Sequence, residues 1–297
     1  VRMAIGMGIA PMAAIQMATL NGAEALRIDG KVGVLAPGRA ADVLFVEDLR
    51  DFRAGRVMAK GRMAAEDGRL THALAPPPRS GRLLGTVRLD PVKASDFAVP
   101  AKAAQPEARV MAMAVTPEKI FVRKRRDVTL SVSHGHIRAD RAQDVQYVTV
   151  VERYGRTRNR PVGFISGFGL KSGALATSTA PDDNNIVCVG TNPEDMAVAV
   201  NHIIAMNGGQ VVVDGGKVVE ALPLPIGGIV ADLEPEEMAQ REEALDEAAR
   251  ALGCTLPWPF MYMFVLQITA IPDYAITDLG TISCLELKVV DPVYEPA

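Results

Sequence analysis

The fold of this chain is decided by residues 163–192, which read GFISGFGLKSGALATSTAPDDNNIVCVGTN. The stretch begins with the apolar run Gly163–Phe168 and ends with a second one, Ile186–Val189, both of strand length. Directly before the second run lies a polar cluster, which consists of Asp182, Asp183, Asn184 and Asn185. Because the run that follows is apolar throughout, we predict that the cluster lies at the end of a buried strand.

Three uses of this polar cluster are consistent with its residues. Its oxygens and amides could coordinate a hard cation, or they could receive a polar heterocycle through hydrogen bonds. They could equally stabilise the turn itself through bonds between side chains and backbone. The pattern alone leaves all three uses open.

Further strands and two helices surround this stretch. We predict strands at six more places: Arg109–Val115, Ile120–Val122, Val128–Val132, Val145–Val151, and a hairpin of Gln210–Val213 with Lys217–Val219. One helix is predicted to begin at Asn192-Pro193 and to stop at Gly208-Gly209, because Asn caps helices, Pro fits their first turn and Gly ends them. A second helix is predicted from Pro235 to Gly253. Strands and helices that do not alternate as βαβ units favour an α+β fold.

The first thirty residues have the apolar spacing of a helix. We expect four apolar side chains on one helical face: Ile15, Ala18, Ala25 and Leu26. Asn21 followed by Glu24 is typical of a helix cap and predicts a break between two helices. This apolar face needs a partner, and the chain starts in mid-helix at Val1, so we expect a fragment or a gene translated from an internal start.

Residues 32–70 consist of short apolar runs separated by turn signals, which predicts strands and hairpins, most clearly at Val43–Val46. Three consecutive prolines, Pro76–Pro78, can continue neither a helix nor a strand ladder. We therefore predict a linker there and a domain boundary with it.

The composition indicates a globular protein and excludes several classes. The chain has 297 residues, a formal net charge of −3 and a hydrophobic share of 48%, which excludes general disorder and argues against a dedicated nucleic-acid binder. The longest apolar run, Pro259–Ile271, is shorter than the roughly 20 residues of a membrane helix, so we expect no membrane partner. The start of the chain has no secretory signal pattern, and the three cysteines are far apart, which together predict a reducing cytoplasm.

Histidine and arginine patterns do not indicate a complete metal or anion site. His134-Gly135-His136 has the spacing of a metal-ligand pair, but its surroundings predict a hairpin tip with solvated histidines, and the other two histidines lie far away in sequence. The basic run Arg123–Arg126 and the four arginines between Arg153 and Arg160 are predicted to be solvated faces, since no aromatic residues are interleaved with them. Gly167-Phe168-Gly169 lacks the context of a dinucleotide loop.

A series of motifs then runs along nearly the whole chain. They are Met17-Ala-Thr-Leu-Asn21, Pro37-Gly-Arg-Ala-Ala-Asp42, Gly167-Phe-Gly-Leu170, Ile186-Val-Cys-Val-Gly190, Leu224-Pro-Ile-Gly-Gly228, Pro259-Phe-Met261 and Ile276-Thr-Asp278. In this order they resemble the C-terminal part of the adenine deaminase family, within the amidohydrolase superfamily. The first two motifs occur across many amidohydrolases, whereas the later ones are specific to adenine deaminases.

The resemblance implies a division into three parts. Residues 1–29 would be the last helical piece of a metal-dependent barrel, 30–80 part of a β-sandwich with the linker, and 81–297 an adenine-deaminase-type α+β domain. The family's metal ligands and catalytic carboxylates would precede Val1. We therefore assign no catalytic residue and no bound metal to this chain alone, and expect a divalent transition metal (manganese, iron or zinc) in the intact enzyme.

The resemblance also implies a reaction and partners. The intact enzyme would hydrolyse adenine to hypoxanthine and ammonia, with metal-activated water as nucleophile. We expect adenine as the substrate, the missing N-terminal barrel portion as a partner, and a homo-oligomer. The alternatives are a non-catalytic binding or oligomerisation module, and part of another amidohydrolase.

One segment departs from the family pattern. Many members have Ala-His-Asp-Ser-His-Asn where this chain has residues 180–185, and a histidine in place of Tyr154. Only Asp182 and Asn185 match the polar positions of that segment. The cluster Asp182–Asn185 is therefore a candidate substrate-shaping or structural turn rather than a set of imidazole ligands.

Overall fold

The structure is a computed structural model that describes residues 1–72 and 81–295. The chain divides into two compact units, Val1–Pro78 and Arg79–Ala297. The predicted linker Pro76–Pro78 lies outside the described residues.

Three short helices open the first unit: α1 (Arg2–Gly6), α2 (Pro11–Ala18) and α3 (Leu20–Ala25). The four residues predicted to share one helical face lie in different elements, because α2 ends at Ala18 and α3 ends at Ala25, before Leu26. The buried residues of these helices are Ala14 and Ala23. Thr19, with φ −125° and ψ −88°, breaks the helix between α2 and α3. Helical phase is lost at such a break, so residues on either side of it no longer share one face. Asn21 lies inside α3 and does not cap it.

A four-stranded antiparallel sheet completes the first unit. Its strands, in spatial order, are β1 (Val43–Val46), β2 (Ala54–Ala59), β3 (Arg62–Glu66) and β4 (Arg69–Leu70). Lys60-Gly61 and Asp67-Gly68 form the two tight turns, and all four residues have positive φ, as two-residue hairpins of type I′ require. The predicted strand Val43–Val46 is confirmed.

The second unit is built on one large sheet. Its strands are β5 (Val99–Pro100), β6 (Glu107–Ala114), β7 (Lys124–Ser133), β8 (His136–Ile137), β9 (Val145–Val151), β10 (Val162–Ser166), β11 (Ala174–Thr177), β12 (Ile186–Gly190), β13 (Gly209–Asp214) and β14 (Lys217–Pro223). Their spatial order is β14-β13-β11-β12-β9-β10-β6-β7-β8-β5. Neighbours are antiparallel except for β6 and β10, which are parallel.

Three helices and a small sheet pack around this large sheet. The helices are α4 (Pro193–Met206), α5 (Pro235–Ala251) and α6 (Pro259–Val265), and short 3₁₀ turns lie at Gly81–Leu83 and Ala94–Phe97. The small antiparallel sheet consists of β15 (Tyr274–Thr277), β16 (Gly280–Ser283) and β17 (Lys288–Val290). The start of α4 is confirmed, since Asn192 caps it by accepting from the Asp195 N–H at 2.7 Å. Asn207, in the left-handed region, ends it.

Both faces of the central strands of the large sheet are buried. Along β9, Tyr147 and Val151 face the core that contains α4, while Val148 and Val150 face the core that contains α5 and α6. This two-sided burial explains why β12 is apolar throughout and why β9 has apolar residues on both faces, with Gln146 and Thr149 as buried polar exceptions. The predicted α+β class is confirmed.

One predicted strand was wrong. Ile120–Val122 belongs to the connection between β6 and β7, where the Val122 N–H donates to the Lys119 carbonyl in a local turn. Pro117 and this local turn prevent the three apolar residues from pairing with a neighbouring strand. Within the described residues, no helix is both long and apolar enough to cross a membrane.

Candidate functional site

The predicted polar cluster lies at one end of the large sheet. Antiparallel pairing places the end of β9 beside the start of β12, through Val151 and Ile186. The end of β11 pairs in turn with the start of β13, through Thr177 and Gln210. Segments 152–154, 178–185 and 208–209 therefore meet at the same end of the sheet.

Hydrogen bonds within the cluster hold three of its four residues. Asn184 accepts at Oδ1 from the Ala180 N–H (3.2 Å), and its own N–H donates to the Ala180 carbonyl (2.8 Å). Asn185 donates to both carboxylate oxygens of Asp183, from its backbone N–H (3.0 Å) and from Nδ2 (2.9 Å). Asn184 has φ 53°, a conformation that Asn tolerates better than most residues. This bonding is that of a stabilised turn.

Asn185 joins the turn to the segment after β9. It is 3% exposed, and its Oδ1 accepts from the backbone N–H of Arg153 at 3.1 Å. The Tyr154 hydroxyl donates to the Asp183 carbonyl at 2.6 Å. Two independent bonds therefore attach the turn to residues 153–154.

The two aspartates of the cluster differ. Partial burial raises the pKa of the Asp183 carboxyl, and the negative charge of Asp278 adds to the effect, while bonds from Asn185 oppose it. Both residues are exposed, but the Asp182 carboxylate has no hydrogen-bond partner among the described residues. The structure thus brings Asp183, Asn184 and Asn185 together and leaves Asp182 outside their network.

The donor set of the turn does not fit a metal ion. Both oxygens of Asp183 and the Oδ1 atoms of both asparagines already accept hydrogen bonds. Across residues 1–72 and 81–295, no group of three His, Cys, Asp or Glu side chains is placed to hold a metal. No step of metal chemistry is therefore derived from the described residues.

Glu152, which the sequence did not single out, organises the loop after β9. It is 4% exposed, and its carboxylate accepts four backbone N–H bonds of 2.8–3.1 Å, from Tyr154, Arg156, Thr157 and Arg158. Burial alone would raise the pKa of this carboxyl, but the four N–H donors together hold the pKa below its usual value. The Glu152 side chain therefore stabilises the loop in its ionised, carboxylate form.

Arg153 was predicted to be solvated and is instead 2% exposed. Its guanidinium lies over the Tyr154 ring at 4.9 Å and donates to the Gly227 carbonyl at 2.9 Å and the Thr86 hydroxyl at 3.4 Å. A Cβ at Gly228 would lie 1.7 Å from Arg153 Nη1. The Gly-Gly motif is therefore a cradle for this buried guanidinium. The charged pair Glu152-Arg153, directly after the largely apolar run 145–151, was the signal available in the sequence.

Ser178 and a second glycine pair complete this end of the sheet. The Ser178 hydroxyl donates to the Gly228 carbonyl at 2.5 Å and accepts from the Gly209 N–H at 2.8 Å. A Cβ at Gly208 would lie 2.3 Å from the Gly228 Cα atom. A Cβ at Gly209 would lie 2.4 Å from the Leu222 carbonyl oxygen, so close backbone approach requires both glycines of this second pair.

The Gly167-Phe168-Gly169 segment is also a structural turn. Asp144 accepts from the Gly167 N–H at 2.9 Å and from the Gly169 N–H at 2.8 Å. A Cβ at Gly167 would lie 2.1 Å from the Val115 carbonyl oxygen. The glycines allow this approach, and Asp144 fixes the turn.

The basic run Arg123–Arg126 was predicted to be solvated, which is wrong for Arg123. Its guanidinium is buried and donates to the carbonyls of Val265, Ile268 (2.9 Å) and Ile271 (2.6 Å), and burial lowers its pKa. These carbonyls lie at and beyond the end of α6, where helices leave such groups unpaired. Lys124 and Arg125 are exposed, as predicted.

The four histidines do not converge. His134, with φ 51°, lies exposed at the tip of the β7–β8 hairpin, and His136 follows it in β8, so the predicted hairpin is confirmed. His202 is half-buried on α4 and His72 belongs to the first unit.

Two family models match the chain. The model of the adenine deaminase C-terminal domain matches residues 121–288, and that of the amidohydrolase family matches residues 1–64. The first match spans the ends of β9, β11, β12 and β13, the turn before β12 and the Gly-Gly cradle described above.

Individual relatives agree with these matches. The chain is 67% identical over 293 residues to adenine deaminase 4 of Rhizobium meliloti (strain 1021), 48% identical to adenine deaminase 1 of Desulfotalea psychrophila, and 37% identical to an adenine deaminase of Desulforamulus reducens. Each alignment covers 99% of this chain but only 49–50% of the relative. The chain spans about half the length of these relatives, and it belongs to the adenine deaminase family, of which it represents the C-terminal portion.

Proposed function

We propose that the chain is the C-terminal part of an adenine deaminase, and that the intact protein hydrolyses adenine to hypoxanthine and ammonia. The observation that supports this proposal is the 67% identity to adenine deaminase 4 of Rhizobium meliloti, which extends over 293 residues. The buried glycine cradle and the Glu152 loop lie within that alignment, so a sequence of this similarity is expected to keep the same domain.

We propose the three-part division for the same reasons. Residues 1–29 would be the last helical piece of the barrel, 30–80 part of a β-sandwich, and 81–297 the α+β domain. The burial of the first unit supports this, because α1–α3 bury only Ala14 and Ala23 among the described residues. Five large apolar side chains there are 53–80% exposed: Met3, Met7, Met12, Met17 and Leu26. Such a surface is expected to pack against further protein.

The proposed reaction needs groups that the described residues do not supply. The amidohydrolase family is generally metal-dependent, and we place the metal, whether manganese, iron or zinc, in the half of the protein that this chain does not cover. The turn Asp182–Asn185 would then be structural or substrate-shaping. Its contacts support the structural use, because three of its four side chains are committed to internal hydrogen bonds.

We also propose a cytoplasmic location, a role in purine salvage and a homo-oligomeric state. Cys188, Cys254 and Cys284, all within the described residues, are unpaired and buried, which suits a reducing compartment. Leu285, Leu287 and Val289 near the small sheet are 53–81% exposed and offer an apolar contact surface.

Ammonia release from adenine tests the proposed activity. The assay compares this chain alone with a fusion in which the upstream half of the Rhizobium meliloti relative precedes Val1, with manganese, iron or zinc supplied. We expect no release by the chain alone and turnover by the fusion. A folded fusion that releases ammonia from another nucleobase but not from adenine would favour a different amidohydrolase. A folded fusion inactive on every base would favour the non-catalytic module.

A further inference from the structure

A cleft of about 660 Å³ opens in the second unit between α5 and α6. Its volume lies in the range of small-molecule sites, roughly 300–1,000 Å³. The β6–β7 connection contributes Phe121, α5 contributes Glu242 and Asp246, and α6 with its cap contributes an aromatic wall. Thr179 and Gln210 reach the cleft from the polar end of the large sheet.

Two large aromatic side chains of the cleft are open to solvent. Trp258 is 63% exposed and Phe121 57%, and the apolar side chain of Met261 on α6 is 49% exposed. Phe260 and Phe264 line the same cleft. Exposed aromatic groups gathered around one cleft are uncommon on protein surfaces and mark binding sites. Flat faces of this kind stack on planar ligands.

Two carboxylates, those of Glu242 and Asp246, supply acceptors to the cleft, whereas the Thr179 hydroxyl and the Gln210 amide can both donate and accept. No Lys or Arg is among its lining residues in the described part of the chain, whereas Glu242 and Asp246 are. The bond that Gln210 makes toward Thr179, at 3.5 Å, uses its amide nitrogen, and Thr179 is bonded further to the Thr177 hydroxyl at 2.8 Å. The Gln210 carbonyl oxygen takes no part in this bond and is available as an acceptor. Such a set selects hydrogen-bond donors and rejects phosphates.

Asp246 is the central acceptor of the cleft. Arg250, one helical turn away, pairs with it only loosely, at 3.7 Å. Partial burial raises the pKa of its carboxyl, and the neighbouring charge of Glu242 adds to this, while Arg250 opposes it. A donor from a ligand would relieve this partly desolvated carboxylate.

We propose that this cleft binds a planar nitrogen heterocycle with N–H donors, which stacks on Trp258 and Phe121 and donates to Asp246. The choice of aminopurines among such heterocycles rests on the proposed function. The existence of the site does not rest on the proposed function, because all of its lining residues, from 120 to 264, belong to this chain.

Trp258 makes the proposal measurable, because it is the only tryptophan of the chain. Its fluorescence in the 297-residue protein is titrated with adenine, with unsubstituted purine, which lacks the exocyclic amine, and with adenosine monophosphate. We expect saturable quenching by adenine and at least severalfold weaker binding of the other two. Calorimetric titration with adenine provides a second readout.

Variants separate specific binding from nonspecific stacking. Asp246→Asn and Phe121→Ala are each expected to weaken adenine binding about tenfold. The first variant removes one charge-assisted hydrogen bond and the second removes one stacking face. Glu243→Gln, an exposed position on the same helix, is the matched control and should bind like the parent. Thermal melting of each variant confirms that it is folded.

Two results would overturn the proposal: no saturable binding of any of the three compounds, or equal effects of Asp246→Asn and Glu243→Gln. Purine keeps a ring N–H and lacks only the exocyclic amine, so purine binding as tight as that of adenine would overturn the choice of aminopurines. The proposal would also be overturned if the chain self-associates and Trp258 is thereby shielded from a soluble quencher. That result would mean that a second copy of the chain occupies the cleft. Binding by this chain and deamination by the fusion are separate measurements, so failure of one does not imply failure of the other.

Discussion

Asn185 Oδ1 accepts a hydrogen bond from the backbone N–H of Arg153 across 3.1 Å, 32 positions away in sequence. This bond joins the residue before β12 to the segment after β9 and places both within one buried network. Asn185 is 3% exposed and Arg153 is 2% exposed, so neither partner can replace the bond with water.

We therefore predict that Asn185→Ala lowers the free energy of unfolding by about 1–3 kcal/mol, since it leaves the buried Arg153 N–H unpaired and removes one of the two bonds to the Asp183 carboxylate. Asp182→Ala, three residues earlier and exposed, should leave the urea midpoint unchanged, as should His134→Ala at the hairpin tip. Urea unfolding of the 297-residue chain measures all three. Equal midpoints for Asn185→Ala and Asp182→Ala would refute the anchoring role of Asn185.

Gly228 is predicted to be far less tolerant than another glycine with a similar backbone. Its Cβ would lie 1.7 Å from Arg153 Nη1, whereas a Cβ at Gly215 meets nothing within 4 Å, and both residues have positive φ (74° and 55°). Gly215→Ala should cost about 1 kcal/mol from backbone strain alone. Gly228→Ala should cost about 1–3 kcal/mol more, from the forced displacement of the guanidinium. Matched urea unfolding curves give the difference directly, and equal costs would show that Arg153 moves aside freely.

Much of the second unit could be predicted from local sequence. Asn192-Pro193 marks the start of α4 because capping and the fixed φ of proline act within one helical turn. The run 145–151, apolar except for Gln146 and Thr149, predicts β9 residue for residue, since burial on both faces favours apolar residues at successive positions. His134-Gly135 likewise forms the predicted tight turn.

The buried arginines could not be predicted in this way. Arg123 donates to carbonyls 142–148 positions later, and Arg153 to the Gly227 carbonyl 74 positions later. Every residue has a backbone carbonyl, so the sequence does not show which carbonyls accept from an arginine. An arginine that is buried against carbonyls therefore cannot be told from a solvated arginine by its sequence surroundings. The polar turn was open to three uses for a similar reason, because its decisive partner at Arg153 comes from another strand.

Glu152 is predicted to make stability depend on pH in the acidic range. Its folded-state pKa lies below the ordinary value of 4.5 because, although burial opposes ionisation, four backbone N–H donors favour the carboxylate. A lowered folded-state pKa means that the stabilisation is present above about pH 4.5 and is lost as the pH falls through the folded-state pKa. Glu152→Gln should therefore reduce the free energy of unfolding by about 2 kcal/mol at neutral pH and by progressively less in acid.

The control for this pH dependence is Glu107→Gln, at an exposed position in β6. Denaturant unfolding at a series of pH values compares the two variants with the parent chain. A Glu152→Gln deficit that stays constant from neutral to strongly acidic pH would contradict the assignment of the lowered pKa.

Among the cationic residues of the second unit, Arg123 is the one whose substitution is predicted to lower the free energy of unfolding most. Its guanidinium satisfies the carbonyls of Val265, Ile268 and Ile271, all at or after the end of α6. Arg123→Met keeps most of the side-chain volume but leaves those acceptors unpaired, so we expect a loss of about 3 kcal/mol. Lys119→Met, at an exposed position of the same connection, should leave the free energy of unfolding unchanged.

Since α6 forms the aromatic wall of the cleft, Arg123→Met should also shift the emission of Trp258 before global unfolding, whereas Lys119→Met should not. Unchanged stability and emission in Arg123→Met would mean that the carbonyls after α6 find other donors.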